Sequence, residues 1–124
     1  MAKISSKLQK QFLDLNLCDD RGAVFAATAG RLPNGNFGVV WLSVKGNDLH
    51  ISACVGIKSD LGELQCTIPL REVKNFQSTN GFFGEVLKGY SFRFVYGGHK
   101  FMFKNCFPQK NALAVIRQEA SKQA

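Results

Sequence analysis

The sequence predicts a mainly β domain of seven strands, preceded by a short helix and followed by a second helix. Three observations predict this fold class. Apolar and polar residues alternate with a period of two from residue 21 to 106, Gly, Asn and Asp recur every several residues, and helical spacing of apolar residues appears only near the two ends. Because the chain has 124 residues, 45% of them hydrophobic and 20% charged, we expect one globular core.

The N-terminal helix is predicted by an apolar stripe in "ISSKLQKQFLDL". Ile4, Leu8, Phe12 and Leu15 follow one another at spacings of four, four and three residues, which places them on one helix face. The stretch "CDDRG" then ends the helix. We expect residues 1–20 to form this amphipathic segment and residues 21–124 to form the β domain.

The best-defined hairpin is predicted in "FGVVWLSVKGNDLHISACVGI", where Gly46 and Asn47 make a two-residue turn. Folding the chain there opposes apolar residues on one face and polar residues with Trp41 on the other. Trp41 therefore turns away from the core, and we expect it to be covered by the N-terminal helix or by a protein partner, including a second copy of the chain. A further alternative is that the helix lies on a membrane, because Lys3, Lys7 and Lys10 flank its apolar stripe. The expected pairs are Val44 with Leu49, Leu42 with Ile51, Val40 with Ala53, Lys45 with Asp48, Ser43 with His50, and Trp41 with Ser52.

The following strand is predicted to end at Pro69, which cannot donate a hydrogen bond to a neighbouring strand. Its alternation predicts that Leu64, Cys66 and Ile68 face the core and that Gln65 and Thr67 face water.

A second hairpin is predicted in "SFRFVYGGHKFMFKNC", with its turn at Gly97 and Gly98. This register places the aromatic rings on one face, opposing Tyr96 to His99, Phe94 to Phe101 and Phe92 to Phe103. The other face carries Arg93, Val95, Lys100, Met102 and Lys104. A sheet that binds single-stranded RNA needs exposed rings beside its bases. Because the register separates rings from bases, it favours a core position for the four phenylalanines.

The C-terminal helix is predicted after Pro108, and a loop with Phe82 and Phe83 is predicted in "NGFFGEVLKG". The helix presents a mostly apolar stripe formed by Ala112, Leu113, Val115, Ile116, Glu119 and Ala120.

The order of elements resembles that of the pleckstrin-homology-like (PH-like) superfold, including its bacterial and GRAM-like members. The local similarity lies in "LQCTIPLREVKNFQ", in the "YSFRFVYGGHKFMF" hairpin and in the final helix, and the resemblance covers residues 21–121. It implies a seven-stranded barrel of two antiparallel sheets capped by the C-terminal helix, with the N-terminal helix as an addition. The predicted strands are residues 23–31, 37–45, 48–57, 63–69, 71–78, 89–96 and 99–106.

The same resemblance implies a ligand position at one open end of the barrel, where many members bind phosphorylated lipid headgroups. The corresponding residues are Arg31, Lys58, His99 and Lys100. The lipid-binding members also carry bases in strand 2, whereas this chain has none between Arg31 and Lys45. This difference argues against specific phosphoinositide recognition.

The net charge of +7 is concentrated near the C-terminus, because residues 88–124 contain seven bases and one acid. The hairpin register brings Arg93, Lys100 and Lys104 together on the outer face. We expect an acidic partner to bind there. The alternative is that these charges only keep the protein soluble.

The sequence lacks the features of membrane-spanning, secreted, metal-binding and catalytic proteins. No apolar run is long enough for a membrane span and the start is too polar for a secretory signal. We therefore expect a cytoplasmic protein, either free or peripheral to the inner face of the membrane. The four cysteines stand 36, 12 and 40 residues apart with no C-x-x-C pair, so we expect reduced thiols and no metal. His50 and Cys54 are too far apart along one strand to form a catalytic pair, and we expect neither catalysis nor a cofactor.

The function predicted from the sequence is that of a noncatalytic PH-like binding module. It would act through protein contacts or through weak association with an anionic membrane surface. One alternative is nucleic-acid binding by the basic C-terminal third. Another is a small-ligand carrier or an enzyme that uses the interior of the barrel. The sequence leaves the identity of the partner and the oligomeric state open.

Overall fold

A computed structural model describes residues 6–57, 59–78, 90–106 and 112–122 of the chain. Its elements confirm the predicted seven strands and the two terminal helices. In chain order they are α1 (Ser6–Asp14), β1 (Val24–Ala29), β2 (Gly38–Lys45), β3 (Asp48–Val55), β4 (Asp60–Pro69), a 3₁₀ turn (Leu70–Glu72), β5 (Lys74–Ser78), β6 (Tyr90–Tyr96), β7 (His99–Cys106) and α2 (Ala112–Ser121). The predicted loop around Phe82 and Phe83 and the predicted helix start at Pro108 lie outside the described residues.

The seven strands form one antiparallel sheet in the order β4-β3-β2-β1-β7-β6-β5. Its two halves are joined by a short ladder, in which Thr28 pairs with Lys104 and Ala29 pairs with Phe103. The two separate sheets implied by the resemblance are therefore continuous through β1 and β7. The sheet is not closed by a ladder between β4 and β5, because Pro69 ends β4 and the 3₁₀ turn redirects the chain before β5 begins.

Both predicted hairpin registers are confirmed, pair by pair. The turn of the second hairpin requires glycine, because Gly97 and Gly98 have φ angles of +59° and +76°. Two consecutive residues in the left-handed region are typical of the tight turn that matches strand twist. The turn therefore fixes which side chains of β6 and β7 face the core.

The main core lies between the inner faces of the two halves of the sheet. Phe25 of β1 and Phe92 of β6 meet edge to face, with ring centroids 6.5 Å apart. Stacked rings continue across the hairpin, at 4.9 Å for Phe92 with Phe103 and 5.3 Å for Phe94 with Phe101. Because the inner faces meet in this way, the outer faces of the two halves point away from each other.

The predicted core position of Leu64 is wrong, whereas those of Cys66 and Ile68 are confirmed. Cys66 pairs with Ile51, but Leu64 pairs with Ser52, so one extra residue of β4, Gln65, stands opposite a single step of β3. This β-bulge moves Leu64 to the other face, and a second irregularity between Ser52 and Cys54 restores the alternation before Leu61. Leu64 consequently lies on the outer face and is 46% exposed.

Helix α1 covers the outer face of the β1–β4 half and forms a second, smaller core with it. Phe12 is fully buried and meets Trp41 edge to face at 5.9 Å. The indole N–H of Trp41 donates to the carbonyl of Ser59 at 3.1 Å. The expectation that α1 covers Trp41 is therefore met. The members of this core are Phe12, Leu17, Cys18, Val24 and Trp41.

The chain leaves α1 through a turn in which Asn16 has a φ of +59°. The N–H of Leu17 donates to the carbonyl of Phe12 at 2.8 Å, and the N–H of Asn16 donates to that of Leu13 at 3.1 Å. These two bonds make a Schellman motif, whose usual apolar contact is here between Leu17 and Phe12, both members of the second core. The motif returns the chain to the sheet in time for β1.

Helix α2 is anchored by its buried carboxylate, Glu119, at the end of the fold that contains the β2–β3 turn. The carboxylate accepts hydrogen bonds from Arg21 at 2.9 Å, from Arg71 at 3.2 Å and from Lys122 at 3.4 Å. Burial raises the pKa of Glu119, but these cations outweigh it and the pKa is lowered overall. The network ties α2 to the 3₁₀ turn and to the segment that leads into β1.

Candidate functional site

All of the charged side chains on the outer face of β5, β6 and β7 are positive. These three strands contain four bases and no acid. The bases are Lys74, Arg93, Lys100 and Lys104, all of them exposed. Like charges on neighbouring strands repel each other unless an anion lies between them, so this face is suited to a negatively charged partner.

Arg93 is the base whose orientation is fixed most clearly. Its Nε and Nη2 both donate to Oε1 of Gln77 on the neighbouring strand, at 2.9 and 2.6 Å. Gln77 is the cross-strand partner of Arg93 in the β5–β6 ladder, so the bonds follow from the register. A guanidinium held flat in this way is preorganised to bind an anion through its remaining N–H groups.

A groove of about 870 Å³ opens beside this face, where the short ladder joins β1 to β7. Arg31, Arg93 and Lys104 supply its positive charge, and no acid is found among the described residues that line it. Ala29, Phe92 and Phe103 of the main core form part of its wall. We call this cavity, with Phe37, Gly30 and Met102 at its rim, the basic groove.

Large apolar side chains are exposed at and near the basic groove. Phe37 is 73% exposed, Met102 is 53% exposed, and Val39 of β2 is 56% exposed beside them on the strand next to β1. The loop before Phe37 is held in place, because Leu32 is buried and the amides of Asn34 and Asn36 both donate to Oε1 of Gln65, at 2.8 and 2.6 Å. Apolar side chains held in water in this manner are typical of an interaction surface.

The structure brings three of the predicted site residues together and separates the others. Arg31, Arg93 and Lys104 meet at the basic groove, while Lys100 lies on the same outer face of β7 but outside the groove. His99 packs against Phe101 and bonds through Nε2 to the carbonyl of Arg31 at 2.7 Å, so it joins the β6–β7 turn to the β1–β2 loop.

The remaining two predicted residues are Lys58 and Trp41. Lys58 lies outside the described residues. Trp41 is 4% exposed beneath α1, so a partner would contact it only after α1 had moved.

Sequence reasoning missed Phe37, Val39, Met102 and Gln77 as site residues. A signal for the first two was present, because the alternation that turns Trp41 outward also turns residues 39 and 37 outward. The part played by Gln77 depends on the β5–β6 register, which no turn signal in the sequence defines.

The thiols of Cys18, Cys66 and Cys106 are buried or half-buried, and their burial keeps them uncharged at neutral pH. Burial raises the pKa of Cys106 to about 12 and raises the pKa values of Cys18 and Cys66. Burial also lowers the pKa of His50, whose Nδ1 lies 3.1 Å from the hydroxyl of Thr67. Within the described ranges, no three His, Cys, Asp or Glu side chains are grouped so that they could hold a metal ion.

Comparison with solved structures finds PH domains among the similar folds, although no family model matches the chain and no curated protein matches it. The chain is similar to inner membrane complex sub-compartment protein 3 of Toxoplasma gondii, with 10% identity over 97% of this chain and 88% of that one and a TM-score of 0.43. It is also similar to an activated truncation of Vav1, with 10% identity, 94% and 31% coverage and a TM-score of 0.46. The PH domain of ArhGAP27 is 14% identical over 77% of this chain and 86% of that one, with a TM-score of 0.39.

These similarities concern the fold alone, and with TM-scores below 0.5 they say nothing about the basic groove. The chain spans about a third of the Vav1 structure that it matches. In the part of the chain that the structure describes, no helix is both long and apolar enough to cross a membrane.

Proposed function

We propose that this protein is a noncatalytic PH-like binding module that associates weakly with an anionic membrane surface through the basic groove. The observation that carries the proposal is the grouping of three bases with exposed Phe37 and Met102 around one open cavity whose described lining has no acid. In this proposal the PH-like domain is residues 21–124, and residues 1–20 are an addition to it. The protein is cytoplasmic and peripheral to the inner face of the membrane.

The two kinds of side chain act on different parts of a bilayer. Each base near an anionic surface contributes roughly 1 kcal/mol of attraction, which salt screens. Phe37, Val39 and Met102 enter the boundary between headgroups and acyl chains, where they leave water. Three bases with three apolar side chains support reversible attachment, which is weaker than that of a lipid-anchored or membrane-spanning protein.

Nucleic-acid binding through the aromatic hairpin is not supported by the position of its rings. Phe92, Phe94, Phe101 and Phe103 are each at most 3% exposed and fill the main core. Because stacking on bases needs an open ring face, the basic strands of this hairpin offer nucleic acid only its phosphate contacts.

The proposal is tested by flotation of the protein with vesicles that contain phosphatidylserine, compared with vesicles of phosphatidylcholine alone. The variant Arg93→Glu/Lys104→Glu should lose flotation with the anionic vesicles. The matched control is Lys7→Glu/Lys10→Glu, which makes the same charge change on exposed residues of α1 and should float like the parent. Equal loss in both variants would mean that net charge alone drives attachment.

A protein partner is the competing outcome of the same test. If the parent protein does not float with anionic vesicles at low salt, the membrane proposal fails. An acidic protein would then be the partner to seek for Arg93 and Lys104.

A further inference from the structure

The β1–β2 loop, residues 30–37, contributes a base and an exposed ring to the basic groove. Arg31 lies near the start of the loop, and Phe37 lies at its end, where it is 73% exposed. An apolar side chain on an unordered loop loses conformational freedom when it enters a bilayer, and this loss weakens binding. The affinity that Phe37 contributes therefore depends on how firmly the loop is ordered before it meets the membrane.

The start of the loop is fixed by hydrogen bonds and by a buried side chain. Leu32 is part of the main core, and its N–H donates to the carbonyl of Asn36 at 2.8 Å. Oδ1 of Asn34 accepts from the N–H of Asn36 at 3.0 Å. His99 bonds through Nε2 to the carbonyl of Arg31 at 2.7 Å. The loop is therefore closed on itself and attached to the β6–β7 turn.

The end of the loop is held by one side chain of β4, that of Gln65. Its Oε1 accepts hydrogen bonds from Nδ2 of Asn34 at 2.8 Å and from Nδ2 of Asn36 at 2.6 Å. Its Nε2 donates to the carbonyl of Glu63 at 3.1 Å, which fixes the orientation of the amide. Strand β3 lies between β2 and β4, so these bonds tie the loop to a strand that is not its neighbour in the sheet. Phe37 follows Asn36 directly and is held by the same bonds.

The β-bulge in β4 explains why Gln65 is available to the loop. Gln65 is the extra residue between the pairs Ile51–Cys66 and Ser52–Leu64, so no residue of β3 stands opposite it in the ladder. Bulges of this kind re-aim a side chain and are over-represented next to active sites. The bulge that misplaces Leu64 therefore also frees an amide to bond outside the sheet.

We propose that Gln65 is a positioning residue for membrane attachment, which acts through Asn34 and Asn36 to hold Phe37 ready to enter the bilayer. This inference rests on the proposed association with anionic membranes and deepens it. Gln65 carries no charge and is not among the described residues that line the basic groove. Because the loop is ordered in advance, insertion of Phe37 costs little further conformational freedom.

The test replaces Gln65 by Met, a side chain of similar length that lacks the amide oxygen and the N–H groups. The matched control is Gln118→Met on the exposed side of α2. Neither variant changes the net charge. Flotation with phosphatidylserine vesicles is measured over a range of lipid concentrations. Gln65→Met should need roughly threefold to tenfold more lipid for half-maximal flotation, the cost of ordering a side chain on binding, and Gln118→Met should match the parent.

The positioning role is separated from a general structural role by repeating the measurement in the Phe37→Ala background. If Gln65 acts through Phe37, then Gln65→Met has no further effect once the ring is absent. Equal losses in the two backgrounds would overturn the proposal. The variant Asn34→Ala/Asn36→Ala removes the two donors and should weaken flotation at least as much as Gln65→Met, because it also removes the bond within the loop.

The order of the loop in the free protein is measured by NMR relaxation of the backbone amides of Asn36 and Phe37. The order parameters should be about 0.85 in the parent and should fall below about 0.6 in Gln65→Met. Unchanged order parameters in the variant would mean that Gln65 does not hold the loop, and the proposal would be overturned. If Gln65→Met does not fold, Asn34→Ala/Asn36→Ala carries the same test, since it changes only exposed residues.

The outcomes separate this inference from the proposed function. If the parent and Gln65→Met float equally well with anionic vesicles, the inference is overturned and the proposed function stands. If the parent does not float with these vesicles at low salt, both are rejected.

Discussion

Phe12 and Trp41 meet edge to face with their ring centroids 5.9 Å apart, and this contact holds α1 on the sheet. Phe12 is the fully buried residue of a helix of nine residues, which is too short to be stable alone in water. Trp41 in turn carries a large apolar area that faces away from the main core. The helix and the indole therefore each supply the surface that the other needs.

The first prediction follows from that contact. Replacing Phe12 by Ala should lower the free energy of unfolding by roughly 3 to 5 kcal/mol, because a fully buried aromatic side chain leaves a cavity. Trp41 is the single tryptophan of the chain, so its emission reports on α1 directly and should shift to the red. Leu13→Ala is the control, since Leu13 is 45% exposed on the same helix, and its spectrum should not change. An unshifted spectrum in the Phe12 variant would show that α1 does not cover the indole in solution.

The second prediction concerns the stacked rings of the main core. Replacing Phe94 by Ala should lower the stability by roughly 3 to 5 kcal/mol, because Phe94 is 1% exposed and stacks on Phe101 at 5.3 Å. Urea unfolding of this variant is compared with that of Lys100→Ala, which changes an exposed residue of the same hairpin. Equal midpoints in the two variants would place the aromatic face in water and restore the nucleic-acid hypothesis.

The third prediction uses two hydroxyls that are buried in the β1–β4 half of the sheet. Ser43 and Ser52 are fully buried, and within the described residues neither hydroxyl has a hydrogen-bond partner. An unpaired buried hydroxyl costs about 1 to 3 kcal/mol, so Ser52→Ala should leave the stability unchanged or increase it. Thermal unfolding of Ser52→Ala tests this, and a clear loss of stability would mean that the hydroxyl has a partner such as an ordered water.

Much of the fold was predictable because the sequence marks its turns. Glycine at 46 and at 97 and 98 fixed the register of two hairpins, and every pair deduced from those turns is present. Leu64 was misplaced because a β-bulge at Gln65 inserts one residue without any glycine or proline to signal it. The two halves of the sheet are joined by a ladder of only two residue pairs between β1 and β7. The alternation of apolar and polar residues does not indicate which strands pair, so this joint was not predictable.

The candidate site was predictable in its charge and not in its shape. Arg93 and Lys104 were placed together from one hairpin register, and the structure brings both to the basic groove with Arg31. The groove itself forms between β1 and β7, which are distant in sequence, so no local pattern indicates it. Gln77 orients Arg93 from a strand whose register with β6 contains an irregularity between Lys74 and Gln77.

The fourth prediction concerns Asn16, which lies in the turn after α1. Asn16 has a φ of +59°, a conformation that costs an ordinary L-residue about 1 to 2 kcal/mol and costs glycine little. Asn16→Ala should therefore lower the stability by about 1 kcal/mol, while Asn16→Gly should retain most of it. Both variants lose the hydrogen bond that Lys45 donates to the side chain of Asn16, so their difference isolates the backbone effect. Equal stability of the two variants in urea unfolding would mean that the turn is not held in this conformation.

The last prediction concerns Asp19, which lies between α1 and β1 and makes the free energy of unfolding depend on pH. The Arg21 guanidinium and the N–H groups of Gly46 and Arg21 donate to this carboxylate and hold its pKa at about 2, below the ordinary value of 3.8. A folded pKa below the unfolded one means that Asp19 stabilises the fold above pH 3.8, and that this contribution is lost as the pH falls toward 2. The variant Asp19→Asn has no carboxylate at any pH, so it should be less stable than the parent at pH 7. The difference in stability should shrink between pH 4 and pH 2, where Asp19 of the parent becomes protonated. Urea unfolding of both proteins across this range measures it. Because the lowered pKa of Glu119 adds a similar dependence to both proteins, the quantity to follow is the difference between them, and a difference that stays constant with pH would show that Asp19 is not paired in solution.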